Sequence, residues 1–243
     1  MKTYAVMPCF KSESMAPKVV LDCLKYVDKV ICVDDNCPNQ TGNSIKNLID
    51  DEKVVILYHS KNKGVGGATK TGIYYALKEQ AEIIIKIDSD GQMLPSLIPE
   101  LIKPLLEKSA EFTKGNRFRS PDVILKMPFI RLVGNLGLSF LTKLSTGYWE
   151  LFDPTNGFIA MTRKTIERVP LSKIDNRYFF ETDLLFRLSL SDTLIDEISM
   201  QPHYENEKSS LVPILELFNF FFKNLFIFFK RIFYQYFLLD FNP

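Results

Sequence analysis

Through the first half of the chain, short apolar runs alternate with segments whose apolar positions recur every three or four residues. Residues 4–7, 29–33, 54–58 and 82–87 are brief, rich in β-branched side chains and bounded by charged or turn-forming residues, as buried strands are. Residues 18–26, 43–49 and 68–78, which lie between them, carry apolar positions at helical spacing. This alternation predicts an α/β fold with a mostly parallel, Rossmann-like central sheet covered by helices on both faces. Further on, the pattern predicts helices over 96–108, 129–145 and 180–189, and strands over 112–114, 155–161 and 194–200. No repeat or low-complexity linker interrupts it, which gives one domain over residues 1–210 and a distinct tail over 211–243.

In a parallel sheet of this kind, the ligand crevice lies outside the carboxyl ends of the strands. Two of the first four strands end in acidic residues, Asp34-Asp35-Asn36 and Asp88-Ser89-Asp90. The other two run into Pro8-Cys9-Phe10-Lys11-Ser12-Glu13 and Asn62-Lys63-Gly64-Val65-Gly66-Gly67. The four ends converge on one acidic, glycine-lined crevice. Two carboxylates at Asp88 and Asp90 repel each other, and a divalent cation carrying a diphosphate relieves that repulsion. Gln92 could add a neutral oxygen to such a cation. The bland alternative for Asp88–Gly91 is an exposed turn, and for one of Asp34 and Asp35 it is a helix cap or Asx-turn. The glycine segment opens a helix, where backbone N–H groups suit an anion, but a tight strand-to-helix turn explains it equally well.

Composition narrows this further. The net charge of +1 gives no electrostatic basis for nucleic-acid binding. The four cysteines, all before residue 40, have no metal-ligand spacing, and His59 and His203 stand far apart, so a zinc site is not expected and free thiols are. Both histidines read as structural.

Five segments occur in order: Val6-x-Pro8-Cys9-Phe10-x-Ser12-Glu13, Val33-Asp34-Asp35, Asn62-x-Gly64-x-Gly66-Gly67-Ala68, Asp88-x-Asp90-Gly91-Gln92 and Gly115-Asn116-Arg117. The set resembles the family 2 inverting glycosyltransferases of GT-A fold, and more narrowly the branch that transfers a sugar to a polyprenyl or dolichyl phosphate. The resemblance implies a nucleotide pocket of Pro8, Phe10, Glu13, Asp35, Lys63, Gly67, Asp88 and Ser89, with Asp35 near the base and Asp88 near the ribose. It implies Mg²⁺ or Mn²⁺ held by Asp90 and Gln92 against the diphosphate of a UDP- or GDP-sugar. It places Arg117 and Arg131 on phosphate, Asp153 on the acceptor side, and Glu181 and Asp183 as the acidic pair that could supply a base. The chain departs from the family in having Cys-Phe-Lys for Cys-Tyr-Asn, and no carboxylate at Asn39. It also lacks the Gln-x-x-Arg-Trp signature of processive enzymes, which argues against a polysaccharide synthase.

A hydroxyl acceptor needs a base, whereas a phosphate acceptor is already ionised and needs its charge managed by arginines and metal. Two other chemistries share the pattern: sugar transfer to a hydroxyl of a glycan or lipid, and nucleotidyl transfer on a similar sheet. Half of the twenty phenylalanines follow Ser210. Glu216, Asn219, Lys223, Lys230, Arg231 and Tyr234 fall on one side of a helical wheel, with phenylalanines on the other. This predicts amphipathic helices lying in a membrane interface, Lys and Arg towards headgroups, at the cytosolic face. A helix packed on the domain or buried in a homo-oligomer is the alternative. Continuation past Pro243 into a membrane anchor would also suit the resemblance.

Overall fold

The computed structural model describes residues 1–119, 129–200 and 214–239. Its centre is a seven-stranded sheet of order β3-β2-β1-β4-β6-β5-β7. The strands are β1 (Thr3–Cys9), β2 (Lys29–Asp34), β3 (Val54–Tyr58), β4 (Ile83–Lys86), β5 (Phe112–Asn116), β6 (Ile159–Thr162) and β7 (Ile195–Ser199). β6 runs antiparallel to β4 and β5, and the other pairings are parallel.

Strand residues alternate between two cores, as the period of two requires. Ala5, Met7, Val30, Cys32, Ile83 and Ile85 pack beneath α1 (Ala16–Cys23), α2 (Thr41–Leu48) and α4 (Ile98–Leu106). Tyr4, Val6, Ile31, Val33 and Ile84 face α3 (Val65–Lys78), α6 (Arg163–Glu167) and α7 (Phe180–Ser189). Each isoleucine removed from water in this way contributes about 2 kcal/mol. Several expected elements come out shorter. The helix expected over 96–108 begins with a 3₁₀ turn at Pro95–Leu97 and becomes α-helical at Ile98–Leu106, since Pro95 and Pro99 lack the N–H that earlier turns would use. The strand expected over 155–161 starts only at Ile159, after a turn at residues 154–155 and an irregular stretch over 156–158.

α5 (Phe129–Thr146) and α8 (Ile214–Phe233) pack together beside α7, and α8 ends in a π-helical turn, Tyr234–Leu239. Ser145 Oγ donates to Asn224 Oδ1 at 2.7 Å, and Arg231 donates to the carbonyls of Leu144 and Ser145. Those carbonyls sit in the last turn of α5, where no intrahelical donor remains. Ile227 and Phe220 fill the seam against Phe179 and Phe186. Asn224 and Arg231 therefore turn towards the domain, Asn219 and Lys223 stay exposed, and most of the phenylalanine side faces outward. Phe218, Phe222, Phe226, Phe229, Phe233 and Phe237 form one helical stripe, each more than half exposed, from 52% to 67%. Leu136 and Phe140 on α5 are similarly exposed. Among the described residues, no helix is long and apolar enough to cross a membrane. The boundary expected at residue 210 and the end of the tail lie outside the described residues.

Candidate active site

Register brings the strand ends level: Cys9 pairs with Asp34, and Asp34 with Tyr58. Beyond these ends opens a cleft of about 590 Å³, lined among others by Pro8, Phe10, Asp35, Asp88, Ser89 and Asp90. Six of the expected nucleotide and metal residues thus share one wall system. Asn62, Gly64, Val65 and Ala68 also line it, while Glu13, Lys63, Gly67 and Gln92 are not among its lining residues. Glu13 instead accepts from Asn39 Nδ2 at 2.7 Å. Phe10 is exposed within the cleft, and the Lys11 ammonium lies 5.5 Å from its ring centre.

The two adjacent aspartates divide their tasks. Asp34 accepts from the backbone N–H groups of Cys37 and Gly42, both at 2.7 Å, and so fixes the turn into α2. Asp35 accepts from His59 Nδ1 at 2.6 Å and from the N–H groups of Lys63 and Gly64 at 2.8 and 2.7 Å. His59 is buried and its Nε2 lies 2.9 Å from Thr71 Oγ1, so it buttresses Asp35 from behind. The glycine segment has a steric reason. A Cβ on Gly64 would lie 2.6 Å from the carbonyl oxygen of Asn176, and one on Gly66 2.5 Å from that of Asp175. The N–H of Gly67 donates to Asn176 at 2.8 Å. The glycines let α3 press against residues 175–177, and that segment carries Arg177 and Tyr178 into the cleft wall.

At the cleft floor, Ser89 Oγ donates to the carbonyl of Pro8 at 3.0 Å, which joins the ends of β1 and β4. Asp90 Oδ1 accepts from the N–H of Gln92 at 3.0 Å, folding the turn back. Asp88 accepts from Lys86 Nζ at 2.7 Å, and the same ammonium lies 3.2 Å from Glu181 Oε1. Gly157 closes this cluster: a Cβ there would lie 2.3 Å from Lys86 Nζ and 3.0 Å from Asp88 Oδ2. Burial opposes the charge on Lys86, but Asp88 and Glu181 outweigh it and hold the ammonium well above the ordinary lysine value.

The other expected residues lie deeper or elsewhere. Asp153 is fully buried and takes a two-pronged pair from Arg117, Nε to Oδ2 at 2.7 Å and Nη2 to Oδ1 at 2.8 Å. Burial would raise the Asp153 carboxyl, yet Arg117 and Lys114 hold it below its usual value. Lys114, buried on β5, donates to the carbonyls of Pro154 and Asn156, and burial pulls it down to about 8. Asp183 sits away from the cleft, in a groove between α7 and α8, where burial raises its carboxyl and Arg187 lies 3.3 Å from it. Glu181 and Asp183, an apparent pair in sequence, thus serve different places. Arg131 falls in the first turn of α5, and its side chain lies outside the described residues.

Among the described residues, no three His, Cys, Asp or Glu side chains cluster as a complete metal cage. Asp88 and Asp90 beside an open cleft nevertheless fit Mg²⁺ or Mn²⁺, which commonly takes one or two carboxylates and completes its shell with diphosphate oxygens and water. Sequence reasoning missed Lys86, Lys114, Arg177 and Tyr178. Lys86 did leave a signal, a lone charge inside the otherwise apolar run Ile83–Ile87.

Comparison with known proteins agrees with this geometry. Residues 4–169 match the glycosyl transferase family 2 profile. The UDP-N-acetylglucosamine–dolichyl-phosphate N-acetylglucosaminyltransferase of Methanococcus voltae is 31% identical over 215 residues, covering 83% of this chain and 85% of that protein. The polyprenol monophosphomannose synthase of Mycolicibacterium smegmatis is 24% identical over 76% of this chain and 71% of its own length. In fold, the chain is similar to glucosyl-3-phosphoglycerate synthase of Mycobacterium tuberculosis, crystallised with Mn²⁺ and UDP-glucose, at a TM-score of 0.66 and 18% identity, covering 94% and 79% of the two chains. It is also similar to mannosyl-3-phosphoglycerate synthase of Rubrobacter xylanophilus, at a TM-score of 0.70 and 13% identity, over 100% and 77%. The four strand ends, the acidic cleft floor and these likenesses lead to one conclusion: the chain is a glycosyltransferase, a member of glycosyl transferase family 2 related to the polyprenyl-phosphate sugar transferases.

Proposed function

We propose that the protein transfers a sugar, with inversion, from a nucleotide-sugar to a polyprenyl phosphate at the cytosolic face of a membrane, with Mg²⁺ or Mn²⁺. The observation that carries this reading is the joining of a donor cleft and an uncovered phenylalanine face in one domain. Phe10 offers its ring to the base, Asp35 and Asp88 offer oxygens to base and ribose, and Asp90 is the principal protein ligand of the metal. A bound divalent ion would neutralise the diphosphate as it departs. A phosphate acceptor needs no base. That suits this chain, because each carboxylate considered for the task already has a cationic partner. Glu181 is held by Lys86, Asp153 by Arg117 and Asp183 by Arg187.

The test is direct. Purified protein, Mn²⁺ or Mg²⁺ and undecaprenyl phosphate are incubated with a panel of UDP- and GDP-sugars, and the released nucleotide is identified. Release of one nucleoside diphosphate that requires the lipid phosphate is expected. Release of pyrophosphate would instead indicate nucleotidyl transfer, and no release with any pair would sink the reading.

The membrane part has its own measurement. Each phenylalanine withdrawn into lipid contributes about 1.5–3 kcal/mol. Replacing Phe222 and Phe226 by glutamate should therefore cut flotation on phosphatidylcholine–phosphatidylglycerol vesicles at least about tenfold. If flotation is unchanged while a dimer becomes a monomer, the face is covered by a second copy of the chain instead.

A further inference from the structure

The groove between α7 and α8 plays no part in the donor site. It encloses about 420 Å³ and shares no lining residue with the donor cleft. That volume falls within the range of about 300–1,000 Å³ common to small-ligand sites. Its lining is partly apolar and partly charged. Phe222 and Phe226, from the exposed stripe of α8, contribute to it, and so do the cations Lys173, Arg187, Lys223 and Lys230. The two carboxylates in the groove are already engaged. Asp183 lies 3.3 Å from Arg187 Nε and accepts from the N–H of Asp175 at 2.9 Å, while Asp175 takes Lys223 Nζ at 2.6 Å. Lys173 and Lys230 form no ion pair among the described residues. The Lys230 ammonium lies 5.6 Å from the ring centre of Phe186 and 5.9 Å from that of Phe226, and it acts on Asp183 only from a distance. Four cations against two carboxylates leave the groove with positive charge to spare.

We infer that this groove binds the phosphate headgroup of an anionic phospholipid, with Lys173 and Lys230 supplying the charge and Phe222 and Phe226 meeting the acyl chains. Charge and position together argue for a lipid rather than a free anion. Two ammoniums without ion-pair partners complement a phosphodiester, and the phenylalanines of the groove continue the stripe that the function proposed above seats in a membrane interface. A soluble phosphate would leave those rings in water. The lipid is not the sugar acceptor. An acceptor phosphate has to come within about 3–3.5 Å of the anomeric carbon, which the proposed function places in the donor cleft. No residue of the groove lines that cleft. The groove therefore holds a bystander lipid, and its headgroup fixes how α8 sits on the membrane. The inference rests on the membrane part of the function proposed above.

The experiment uses the full chain with vesicles of phosphatidylcholine alone and of phosphatidylcholine with phosphatidylglycerol. Wild-type partitioning, read by flotation, should be at least about tenfold stronger on the phosphatidylglycerol vesicles, because each ammonium near the surface favours anionic lipid several-fold. Lys173→Gln combined with Lys230→Gln should remove most of that preference and keep the binding to neutral vesicles. Lys46→Gln combined with Lys53→Gln makes the same charge loss at exposed positions outside the groove. That control should change the preference by less than about twofold, since distant exposed charges are screened. Equal losses in the two double variants would reduce the effect to net charge and overturn the site. Flotation on neither vesicle sinks the membrane reading and this inference together, whereas equal flotation on both sinks the inference alone. Amine labelling of the wild type gives a second readout that needs no variant to fold. With all of the protein bound to vesicles, phosphatidylglycerol should slow labelling of Lys173 and Lys230 at least about threefold relative to phosphatidylcholine alone, and leave Lys46 unchanged. Identical labelling overturns the inference. Equal protection by inorganic phosphate without vesicles would reveal a free-anion site. Stronger protection by undecaprenyl phosphate in phosphatidylcholine than by phosphatidylglycerol would give the groove to the acceptor, and either result overturns the phospholipid assignment.

Discussion

Replacing Asp153 by asparagine should destabilise the protein by about 3 kcal/mol, read as a lower urea midpoint at unchanged slope. The carboxylate is fully buried and carries both prongs of the Arg117 guanidinium, with the Arg117 N–H at 3.1 Å and Asn156 Nδ2 at 3.2 Å. Removing its charge takes away the carboxylate that faces both the partly buried Arg117 and the wholly buried Lys114. Breaking one side of such a pair costs more than replacing both by apolar groups of similar shape. The double variant Asp153→Asn with Arg117→Met should accordingly be more stable than Asp153→Asn alone. A single variant within about 0.5 kcal/mol of the wild type would show that solvent already screens the pair.

The same groups set a pH dependence. Asp153 has a folded pKa below its unfolded value of about 3.9, so its contribution is complete above that pH. It is lost as pH falls through the folded value. Lys114 has the opposite character. Its folded pKa of about 8 lies below the unfolded value of about 10.4, so the folded chain sheds this proton first. Stability due to Lys114 therefore rises with pH between those values. The Lys114→Met variant should lack this alkaline gain.

Asp90→Ala should reduce sugar transfer on the order of 10³-fold at saturating substrates while leaving the fold intact. Asp90 is half-buried at the cleft floor and its carboxylate accepts a local bond from the Gln92 N–H. A divalent ion held there would stabilise a departing diphosphate by several kcal/mol, and about 1.4 kcal/mol is a factor of ten in rate. Raising Mn²⁺ should recover part of the loss, since the diphosphate still offers oxygens. Transfer within tenfold of the wild type, or activity unaffected by EDTA, would remove Asp90 from the metal site.

Much of the fold was legible because the sheet is buried on both faces. Ile83-Ile84-Ile85 and Val30-Ile31-Cys32-Val33 cannot be exposed on either side, so apolar runs of strand length bounded by charges mark the strands and their ends. The cleft wall followed from those ends, and Pro8, Phe10, Asp35, Asp88, Ser89 and Asp90 do meet there. The antiparallel course of β6 was not legible, because strand direction depends on how the chain returns and not on the residues in it.

The tail shows the same division. Its amphipathic pattern is plain in sequence, but a helical wheel gives two sides without saying which one meets the protein. Tertiary structure turns Asn224 and Arg231 inward to satisfy groups of α5, and the phenylalanines outward.

By itself, the sequence determined the alternating α/β architecture, the acidic strand ends and the aromatic amphipathic tail, since each follows from local periodicity and residue chemistry. Only the tertiary structure decided which carboxylate serves what. Asp34 caps a turn, Asp35 holds the glycine segment, Asp153 fixes Arg117, Asp183 faces another groove, and Asp88 joins Glu181 through Lys86. The physical reason is that a carboxylate's role is set by the donors and cations within a few ångströms, and those partners come from residues far apart along the chain.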